Sequence, residues 1–475
     1  MPICKYMQML VMASGIGTSE VARRAGVHRD TLLRWLRAGL VKEPSRDRHG
    51  WRSFSEQEME EIVAYAKIPT NTVGEAANSN HIEPEYDFLS KADWDFEGAK
   101  TSYLTHKLHP YPAKFIPQIP NSLIQELSSV GDTVGDIFCG SGTTLVEALT
   151  LKRNAVGIDA NPLACLIARA KTGFIDEHEY GLLQSLVTQS REFADSISRQ
   201  ADGGLFAAQI FVSKAWRPTF AKLSFWFDDH VIEELAEILS WCRALPSKAS
   251  RNLALTSFSA IVVAVSRQDS DTRYVRRDKG ITPGEAMKKF ARTLEQNALA
   301  AMEYSHTIEP RFHLNIIEAS LLDKPTIPKM DLMVCSPPYP NAFSYHLYHM
   351  TRMVWLGMDQ PKFKQEEIGS HRKYSSPSKN AATVDTFRDE FTSILRWLSE
   401  NMKAGGRACF VVGNSTLKGQ SIDNAQLIAD AGKAAGFVEA LRINRTMQSN
   451  KKSFNPAIGR IKQEQILVLE NRGGA

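Results

Sequence analysis

The stretch Asp132-Thr-Val-Gly-Asp-Ile-Phe-Cys-Gly-Ser-Gly-Thr-Thr144 decides the fold of this 475-residue chain. Its first seven residues predict a short buried strand, and Gly140-Ser-Gly142 predicts a turn into a helix over Thr144–Leu151. A second strand, Asn154–Asp159, and a second helix, Pro162–Lys171, follow. Strands and helices that alternate in this way are typical of a doubly wound parallel sheet.

The α/β pattern continues towards the end of the chain, so we expect one α/β domain over residues 101–475. Residues 176–308 interrupt it as a mostly helical insertion, with helices expected at Val231–Leu245, Leu253–Val265 and Pro283–Glu303. Further strands of the sheet are expected at Leu314–Ile317, Asp331–Cys335, Arg407–Val412 and Gln465–Leu469.

Composition indicates a globular chain of more than one domain. Hydrophobic residues make up 43% and charged residues 23%, which argues against wholesale disorder. The net charge is only +4, so binding to nucleic acid would depend on local basic patches. The six cysteines have no partners at zinc-ligand spacing, and we predict reduced thiols and no metal site. Because no apolar run reaches the roughly 18–20 residues of a membrane span, we expect a cytoplasmic protein that does not contact a membrane.

Residues 14–69 predict a separate small helical domain, followed by a polar linker at 70–100. A helix over Thr18–Ala25, a turn at Gly26-Val27 and a second helix over His28–Gly39 form a helix-turn-helix pattern. Ser55-Glu-Gln-Glu58 predicts a capping box that begins a third helix. Glu20–Phe54 contains nine Lys or Arg and four Asp or Glu, a net charge of +5.

The N-terminal pattern resembles the winged helix-turn-helix of MerR-type regulators. The resemblance is carried by Ser19-Glu-Val-Ala-Arg-Arg-Ala-Gly-Val27, Thr31-Leu-Leu-Arg-Trp-Leu-Arg-Ala-Gly-Leu40 and Gly50-Trp-Arg-Ser-Phe-Ser55. It implies an all-α winged domain that binds DNA. The arginines expected to contact DNA are Arg29, Arg34, Arg37, Arg48 and Arg52. The family's long dimerisation helix is missing here, and a small helical cap with a solvated basic face is the alternative.

The glycine turn lies where the first strand meets its helix, at the carboxyl edge of the predicted sheet. Glycines allow the backbone to approach a ligand closely, and Asp159 ends the next strand about twenty residues later, where a carboxylate can accept from two ribose hydroxyls. A purely structural βα turn is one alternative. NAD binding is another, but Leu145 occupies the place of the third glycine of that motif.

Two motifs together resemble those of the S-adenosylmethionine-dependent DNA amino-methyltransferases. They are Asp136-Ile-Phe-Cys-Gly-Ser-Gly-Thr-Thr144 and Ser336-Pro-Pro-Tyr339, and His109-Pro-Tyr-Pro-Ala-Lys-Phe115 resembles a third. The resemblance implies a Rossmann-like methyltransferase sheet with S-adenosylmethionine as cofactor. It also implies a cofactor site made of Lys114, Phe115, Asp136, Phe138, Cys139, Gly140, Ser141, Gly142, Thr143, Asp159 and Glu318.

Ser336-Pro-Pro-Tyr339 would carry the chemistry. An exocyclic amine is a poor nucleophile because its lone pair is delocalised into the base. Ser336 Oγ and the Pro337 carbonyl would accept hydrogen bonds from the two N–H groups of the amine, which would localise that lone pair. The prolines Pro337 and Pro338 hold the backbone rigid. Tyr339 would stack on a base extracted from the duplex. Methylation at cytosine C5 needs a Pro-Cys nucleophile, which this chain lacks.

The target favoured by the resemblance is cytosine N4 in double-stranded DNA, because Ser at the first position of the motif is associated mainly with cytosine, and Asp or Asn with adenine N6. Adenine N6 methylation, an RNA amino-methyltransferase and a transcription regulator that senses the cofactor remain alternatives. A cognate restriction endonuclease is a possible partner. Within the insertion, Arg273 and Arg276 flank Tyr274 in a composition suited to phosphates and an exposed base, while a solvated loop is the alternative.

Overall fold

The computed structural model describes residues 16–25, 32–33, 35–36, 40–46, 52–66, 86, 89–90, 92–112, 114–202, 211–340, 343–375, 382–417, 419–446 and 463–473. The chain forms two compact units, Met1–Lys100 and Thr101–Ala475. Within the described residues, no helix is both long enough and apolar enough to cross a membrane.

The N-terminal unit combines short strands with helices. Its elements are β1 (Ile16–Gly17), α1 (Thr18–Arg24), β2 (Ser45–Arg46), β3 (Arg52–Phe54) and α2 (Glu56–Ala66). The strands form an antiparallel sheet of order β1-β3-β2, so this unit differs from the expected all-α domain. Strand β3 is the centre of this sheet because it pairs with both β1 and β2. Its fully buried Phe54 belongs to one apolar cluster with Val21, Leu32 and Met59.

The first two predicted helices of this unit are observed in part. Helix α1 matches the first, and Leu32, Leu33, Trp35 and Leu36 of the second are helical. The turn at residues 26–27 lies outside the described residues. The predicted capping box is confirmed, since Glu58 N donates to Ser55 Oγ at 3.2 Å and Ser55 N donates to Glu58 Oε2 at 2.9 Å.

The larger unit is built on the predicted doubly wound sheet. Its strands are β4 (Thr133–Asp136), β5 (Asn154–Asp159), β6 (Gln268–Ser270), β7 (Arg273–Arg276), β8 (Leu314–Glu318), β9 (Met330–Cys335), β10 (Met402–Gly413), β11 (Ser415–Leu417), β12 (Gln420–Ile422), β13 (Phe437–Thr446) and β14 (Gln463–Asn471). Seven of them form one sheet of order β13-β14-β10-β9-β4-β5-β8. Strand β14 runs antiparallel to both of its neighbours, and the pairs from β10 to β8 are parallel.

Helices pack against this sheet and form the insertion. They are α3 (Gln118–Leu127), α4 (Thr143–Thr150), α5 (Pro162–Lys171), α6 (Glu177–Asp202), α7 (Leu223–Trp226), α8 (Asp229–Ala244), α9 (Lys248–Val262), α10 (Glu285–Ser305), α11 (Tyr345–Tyr348), α12 (Met350–Leu356), α13 (Gln360–Glu366), α14 (His371–Tyr374), α15 (Val384–Asn401) and α16 (Asn424–Ala434). One apolar core joins the sheet to α15 and α16, and a second joins the helices of the insertion to Leu108 and Trp355.

Most predicted elements of the larger unit are present, but strands β6, β7, β11, β12 and β13 were not predicted. The three insertion helices appear as α8, α9 and α10, but a short hairpin, β6–β7, lies among them where no strand was expected. Strand β13 was also not predicted, because its apolar residues do not alternate regularly: Phe437 and Ile443 are buried, while Val438 is exposed. Strand β4 ends at Asp136, so the last two residues of the predicted strand belong to the turn.

The order of the strands reverses its direction at β4. This strand pairs with β5, the next strand in the chain, on one side and with β9 on the other. A crevice opens outside the carboxyl ends of the strands at such a point, and ligands bind there in open α/β sheets. The turn after β4 and the segment after β9, about two hundred residues apart in the chain, therefore lie side by side.

Candidate active site

A cavity of about 1120 Å³ lies at this reversal point, somewhat larger than an ordinary small-molecule pocket of roughly 300–1000 Å³. It brings together most of the residues that the sequence predicted. Those in its lining are Lys114, Phe115, Phe138, Cys139, Gly140, Ser141, Thr143, Asp159, Ser336, Pro337, Pro338 and Tyr339. Three other predicted cofactor residues, Asp136, Gly142 and Glu318, are not in the lining.

The glycine turn after β4 is held in place by helix α5 and by the buried Asp136. Gly142 has φ +79° and precedes α4, and a Cβ at this position would lie 3.0 Å from the Ala168 Cβ on α5. Gly142 therefore allows the turn to pack on α5. Asp136 is buried beneath the turn, where its Oδ1 accepts from Phe138 N at 3.1 Å. Burial raises the pKa of Asp136 to about 7, against the effect of its hydrogen bonds to Thr144 and Phe138.

Asp159 lies at the carboxyl end of β5 and faces the cavity. Its two carboxylate oxygens accept from Gly140 N and Asn161 N, both at 2.8 Å, so the side chain is fixed while each oxygen keeps a lone pair. Burial raises the pKa of Asp159 to about 6, although these two hydrogen bonds act in the opposite direction. A rigid carboxylate of this kind suits a pair of ribose hydroxyl donors.

The segment before α3 closes one side of the cavity. The Tyr111 ring stacks on Tyr345 with ring centroids 5.6 Å apart, and Lys114 Nζ donates to the His106 carbonyl at 2.8 Å. Burial lowers the pKa of Lys114. Phe115 completes this wall, so the segment with the predicted cofactor residues Lys114 and Phe115 reaches the cavity.

A buried lysine behind the glycine turn was not among the predicted site residues. Lys171, the last residue of α5, is 0% exposed and its Nζ donates to Ser141 Oγ at 3.0 Å. Burial holds the pKa of Lys171 well below its usual range, and the nearby charge of Lys114 lowers it further. Nothing in a helix-ending lysine distinguishes it from a solvated one, so the sequence carried no signal for this contact.

Glu318, which was predicted to bind the cofactor, is not part of the cavity lining. Its side chain is 47% exposed and lies 4.0 Å from the Arg169 guanidinium, outside the cavity. Strand β8 is the edge of the sheet, and at its end Glu318 turns to solvent. The cavity is lined here by Ala319, Ser320 and Leu321.

Ser336-Pro-Pro-Tyr339 forms the opposite wall. Tyr339 Oη accepts from Gly413 N at 3.2 Å, which ties the motif to the end of β10. Burial raises the pKa of the Tyr339 phenol, and hydrogen bonds from Gly413 and Ser336 act against this rise. Thr144 Oγ1 donates to the Val334 carbonyl at 3.0 Å, so α4 and the end of β9 are connected directly.

Cys335, which precedes the motif, is fully buried, and burial raises the pKa of its thiol well above the usual range. A thiol of this kind is not a nucleophile at neutral pH. Cys335 belongs to the apolar core that joins the sheet to α15 and α16.

Residues after the motif also build the site. Glu367 is buried and lines the cavity, where its carboxylate accepts from Tyr345 N at 2.6 Å and lies 2.5 Å from His346 Nδ1. Thr272, in the turn of the β6–β7 hairpin, lines the same cavity although the insertion precedes the motif by many residues. No local pattern in the sequence indicated either contact, since both depend on tertiary packing.

The predicted DNA contacts have three outcomes. Arg29, Arg34, Arg37 and Arg48 lie outside the described residues. The prediction for Arg52 is wrong. Its side chain is only 6% exposed and its Nε donates to Glu43 at 2.8 Å, so it stabilises the small sheet and does not face a ligand. Arg273 and Arg276 are exposed on strand β7, but Tyr274 between them packs inwards on Trp226 with ring centroids 4.7 Å apart.

Comparison with known proteins agrees with this geometry. A family model described as DNA methylase matches residues 38–170, and one described as MerR family regulatory protein matches residues 17–54. The type II methyltransferase M.MjaII of Methanocaldococcus jannaschii is 36% identical over 403 residues, which cover 66% of this chain and 74% of that protein. The type II methyltransferase M.MvaI of Kocuria varians is 25% identical over 290 residues, which cover 57% of this chain and 62% of that protein.

Solved structures are less similar. TrmN from Thermus thermophilus has a TM-score of 0.30 and 11% identity, with 96% of this chain and 80% of that chain covered. A TehB-like SAM-dependent methyltransferase from Corynebacterium glutamicum has a TM-score of 0.26 and 8% identity, with 74% and 85% covered. These scores are too low to support a detailed comparison. The likeness to M.MjaII, together with the DNA methylase match, shows that the chain belongs to the type II methyltransferases and that S-adenosylmethionine is its cofactor.

Proposed function

We propose that the chain methylates the exocyclic amino group of a base in double-stranded DNA, with cytosine N4 as its target. The observation that carries the proposal is the position of Ser336-Pro-Pro-Tyr339 in the same cavity as the glycine turn and Asp159. One wall then holds the cofactor and the opposite wall holds the base, so that donor and acceptor are aligned, and alignment supplies much of the rate in such transfers.

The cofactor would be held by residues on the first wall. Asp159 would accept from the ribose hydroxyls, and the Lys114 amine and the Ser141 hydroxyl, which Lys171 binds, are donors that suit the carboxylate of the methionine part. When bound, S-adenosylmethionine supplies an electrophilic methyl group. Glu318, which lies outside the cavity, has no part in this proposal.

Ser336 and Pro337 would activate the amine. Ser336 and Pro337 both line the cavity, where Ser336 Oγ would accept one N–H of the substrate and the Pro337 carbonyl would accept the second. The two acceptors localise the nitrogen lone pair, which makes the amine nucleophilic without a strong base. The product loses its proton after the transfer.

Tyr339 would hold the extracted base. Because the Gly413 N–H binds its hydroxyl, the ring is fixed at the cavity wall, and its face can stack on the base. Stacking of this kind contributes about 1–3 kcal/mol per base. Since the ring face accepts any base, it does not choose between cytosine and adenine.

Cytosine is favoured by the residue at the first position of the motif. Ser336 stands where the amino-methyltransferases that this chain resembles have Ser for cytosine and mainly Asp or Asn for adenine. Methylation at C5 finds no support, because the chain has no Pro-Cys pair and Cys335 is buried. Adenine N6 is the second candidate, and it keeps the same acceptors.

The N-terminal unit would bind double-stranded DNA. Support comes from its match to the MerR family model at residues 17–54 and from the net charge of +5 over Glu20–Phe54. Arg29, Arg34, Arg37 and Arg48 remain the proposed contacts. Since the relatives are type II methyltransferases, we further propose that a restriction endonuclease of the same specificity is the partner of this enzyme.

Transfer of labelled methyl from S-adenosylmethionine to duplex DNA and, in parallel, to total RNA tests the proposal. We expect incorporation into duplex DNA alone, and none with Ser336→Ala. Transfer to RNA alone would contradict it. A DNA-binding regulator without transferase activity would give no incorporation with wild type, while Ser336→Ala would leave DNA binding unchanged.

A further inference from the structure

The β6–β7 hairpin of the insertion reaches the active-site cavity. Its turn contributes Thr272 to the lining, and strand β7 carries the exposed residues Arg273, Val275 and Arg276. Five Lys or Arg and three Asp occur in residues 267–279. The hairpin is thus a cationic element whose tip is part of the site wall.

Buried contacts fix the hairpin beside the Ser336 motif. Gln268 is fully buried; its Nε2 donates to the Tyr348 carbonyl at 3.3 Å, and its Oε1 accepts from Thr351 Oγ1 at 3.0 Å. Arg352, also fully buried, pairs with Asp271 in the turn and donates to the Ser259 carbonyl at 2.9 Å. These contacts join the hairpin to helices α11 and α12, so its position relative to the cavity is set by the fold.

The outer surface of the hairpin combines apolar and cationic groups. Val275 is 53% exposed on strand β7, and Phe225 of α7 is 48% exposed. The Arg276 guanidinium lies 5.1 Å from the centre of the Phe225 ring, and its Nε donates to the Phe225 carbonyl at 3.2 Å. We call Phe225, Arg273, Val275, Arg276 and Arg277 the hairpin ridge.

The ridge has three arginines, while residues 267–279 contain two carboxylates besides that of Asp271. Arg273 and Arg277 share one carboxylate, that of Asp269, at 3.3 and 3.5 Å. Asp271 is already paired with the buried Arg352. Asp278 is exposed, and its pKa is lowered by a hydrogen bond from the Gly280 N–H and by the charges of Arg267 and Arg276. The ridge therefore presents more positive than negative charge around two exposed apolar side chains.

We propose that the hairpin ridge binds the DNA duplex next to the base that enters the cavity. This inference rests on the proposed function. A base leaves the duplex between two phosphates, so the surface at the mouth of the cavity must meet the backbone on either side of it. Arginines at that position neutralise phosphates, and Val275 and Phe225 pack against the sugar and base surface that the extracted base exposes.

Binding of a fluorescent DNA duplex, measured with S-adenosylhomocysteine present at several salt concentrations, tests the ridge. For Arg276→Ala and Arg277→Ala we expect DNA affinity to fall at least about threefold, and the slope of log K against log salt to decrease by about 0.9 for each lost phosphate contact. Arg276→Lys should keep the slope. Phe225→Ala should weaken binding without a change in slope.

Arg191→Ala is the matched control, because this arginine is exposed on α6 of the same insertion and pairs with Glu295 at 2.6 Å. It should leave affinity and slope unchanged. Calorimetric binding of S-adenosylhomocysteine should also be the same in all variants; a parallel loss of cofactor affinity would show a structural role and overturn the inference. Unchanged DNA binding in the ridge variants, with wild type still methylating DNA, would overturn it too. If wild type methylates no DNA, the proposed function fails instead.

Discussion

Gly369 packs directly on the backbone of Tyr339. A Cβ on Gly369 would lie 2.5 Å from the Tyr339 carbonyl oxygen and 3.2 Å from the Pro338 Cβ, and its φ of +73° is one that other residues rarely adopt. The segment that contains Glu367 and Gly369 therefore packs against the Ser336 motif so closely that position 369 has no space for a side chain. This packing holds the motif at the cavity wall.

Gly369→Ala should reduce kcat by about a hundredfold, because a displacement of Tyr339 by an ångström misaligns the base and the methyl group. Calorimetric binding of S-adenosylhomocysteine should not change, since the cofactor wall is built from other elements. The control is Gly181→Ala, a helical position at which a Cβ meets nothing within 4 Å. A Gly369→Ala variant with wild-type kcat would contradict this view of the motif.

Tyr339 should tolerate loss of its hydroxyl better than loss of its ring. In Tyr339→Phe the stacking face stays and only the hydrogen bonds with Gly413 and Ser336 disappear, so we expect about a tenfold loss of kcat/KM. Tyr339→Ala should lose at least about a hundredfold, because base stacking is also removed. Steady-state kinetics on duplex DNA measures both, and equal effects of the two substitutions would show that stacking is not the role of the ring.

Local motifs predicted the centre of the site better than its surroundings. Asp159 and Ser336-Pro-Pro-Tyr339 follow buried strands, and the carboxyl ends of neighbouring parallel strands meet at one edge, so their convergence in the cavity followed from the predicted sheet. The roles of Gly369 and Lys171 in the site come from packing between segments far apart in the chain. The hydrophobic periodicity of the sequence gives no information about such contacts. Arg52 was predicted to contact DNA because it belongs to the basic segment Glu20–Phe54. Its burial against Glu43 depends on tertiary packing, which the sequence does not show.

Cofactor binding should depend on pH through Asp159. Burial raises the pKa of this carboxyl to about 6, and the ionised form is the one that accepts from the ribose hydroxyls. Affinity for S-adenosylhomocysteine should therefore be full well above pH 6, about half of its maximum at pH 6, and fall by up to about tenfold per pH unit below it. Calorimetry from pH 5 to pH 8 measures this. Asp159→Asn should bind weakly and lose the inflection near pH 6, whereas the same inflection in this variant would assign it to Asp136, whose pKa is about 7.

Lys171→Met should weaken binding of the amino-acid part of the cofactor. Lys171 donates to Ser141 Oγ, which directs the Ser141 proton towards an acceptor such as the methionine carboxylate. We expect about a tenfold loss of affinity for S-adenosylhomocysteine and no loss for methylthioadenosine, which lacks that carboxylate. Lys171→Arg, which keeps a hydrogen-bond donor at this position, is the comparison. Equal losses for both ligands would mean that the substitution collapses the turn.

The central claim is that the Ser336 motif directs methyl transfer to an exocyclic amine. Mass spectrometry of nucleosides from duplex DNA incubated with the full chain and S-adenosylmethionine tests it most directly, since N4-methylcytosine, 5-methylcytosine and N6-methyladenine are separable. We predict N4-methylcytosine, and none of it with Ser336→Ala. N6-methyladenine alone would keep the amine chemistry and overturn the choice of base, whereas 5-methylcytosine or no methylated nucleoside would contradict the central claim.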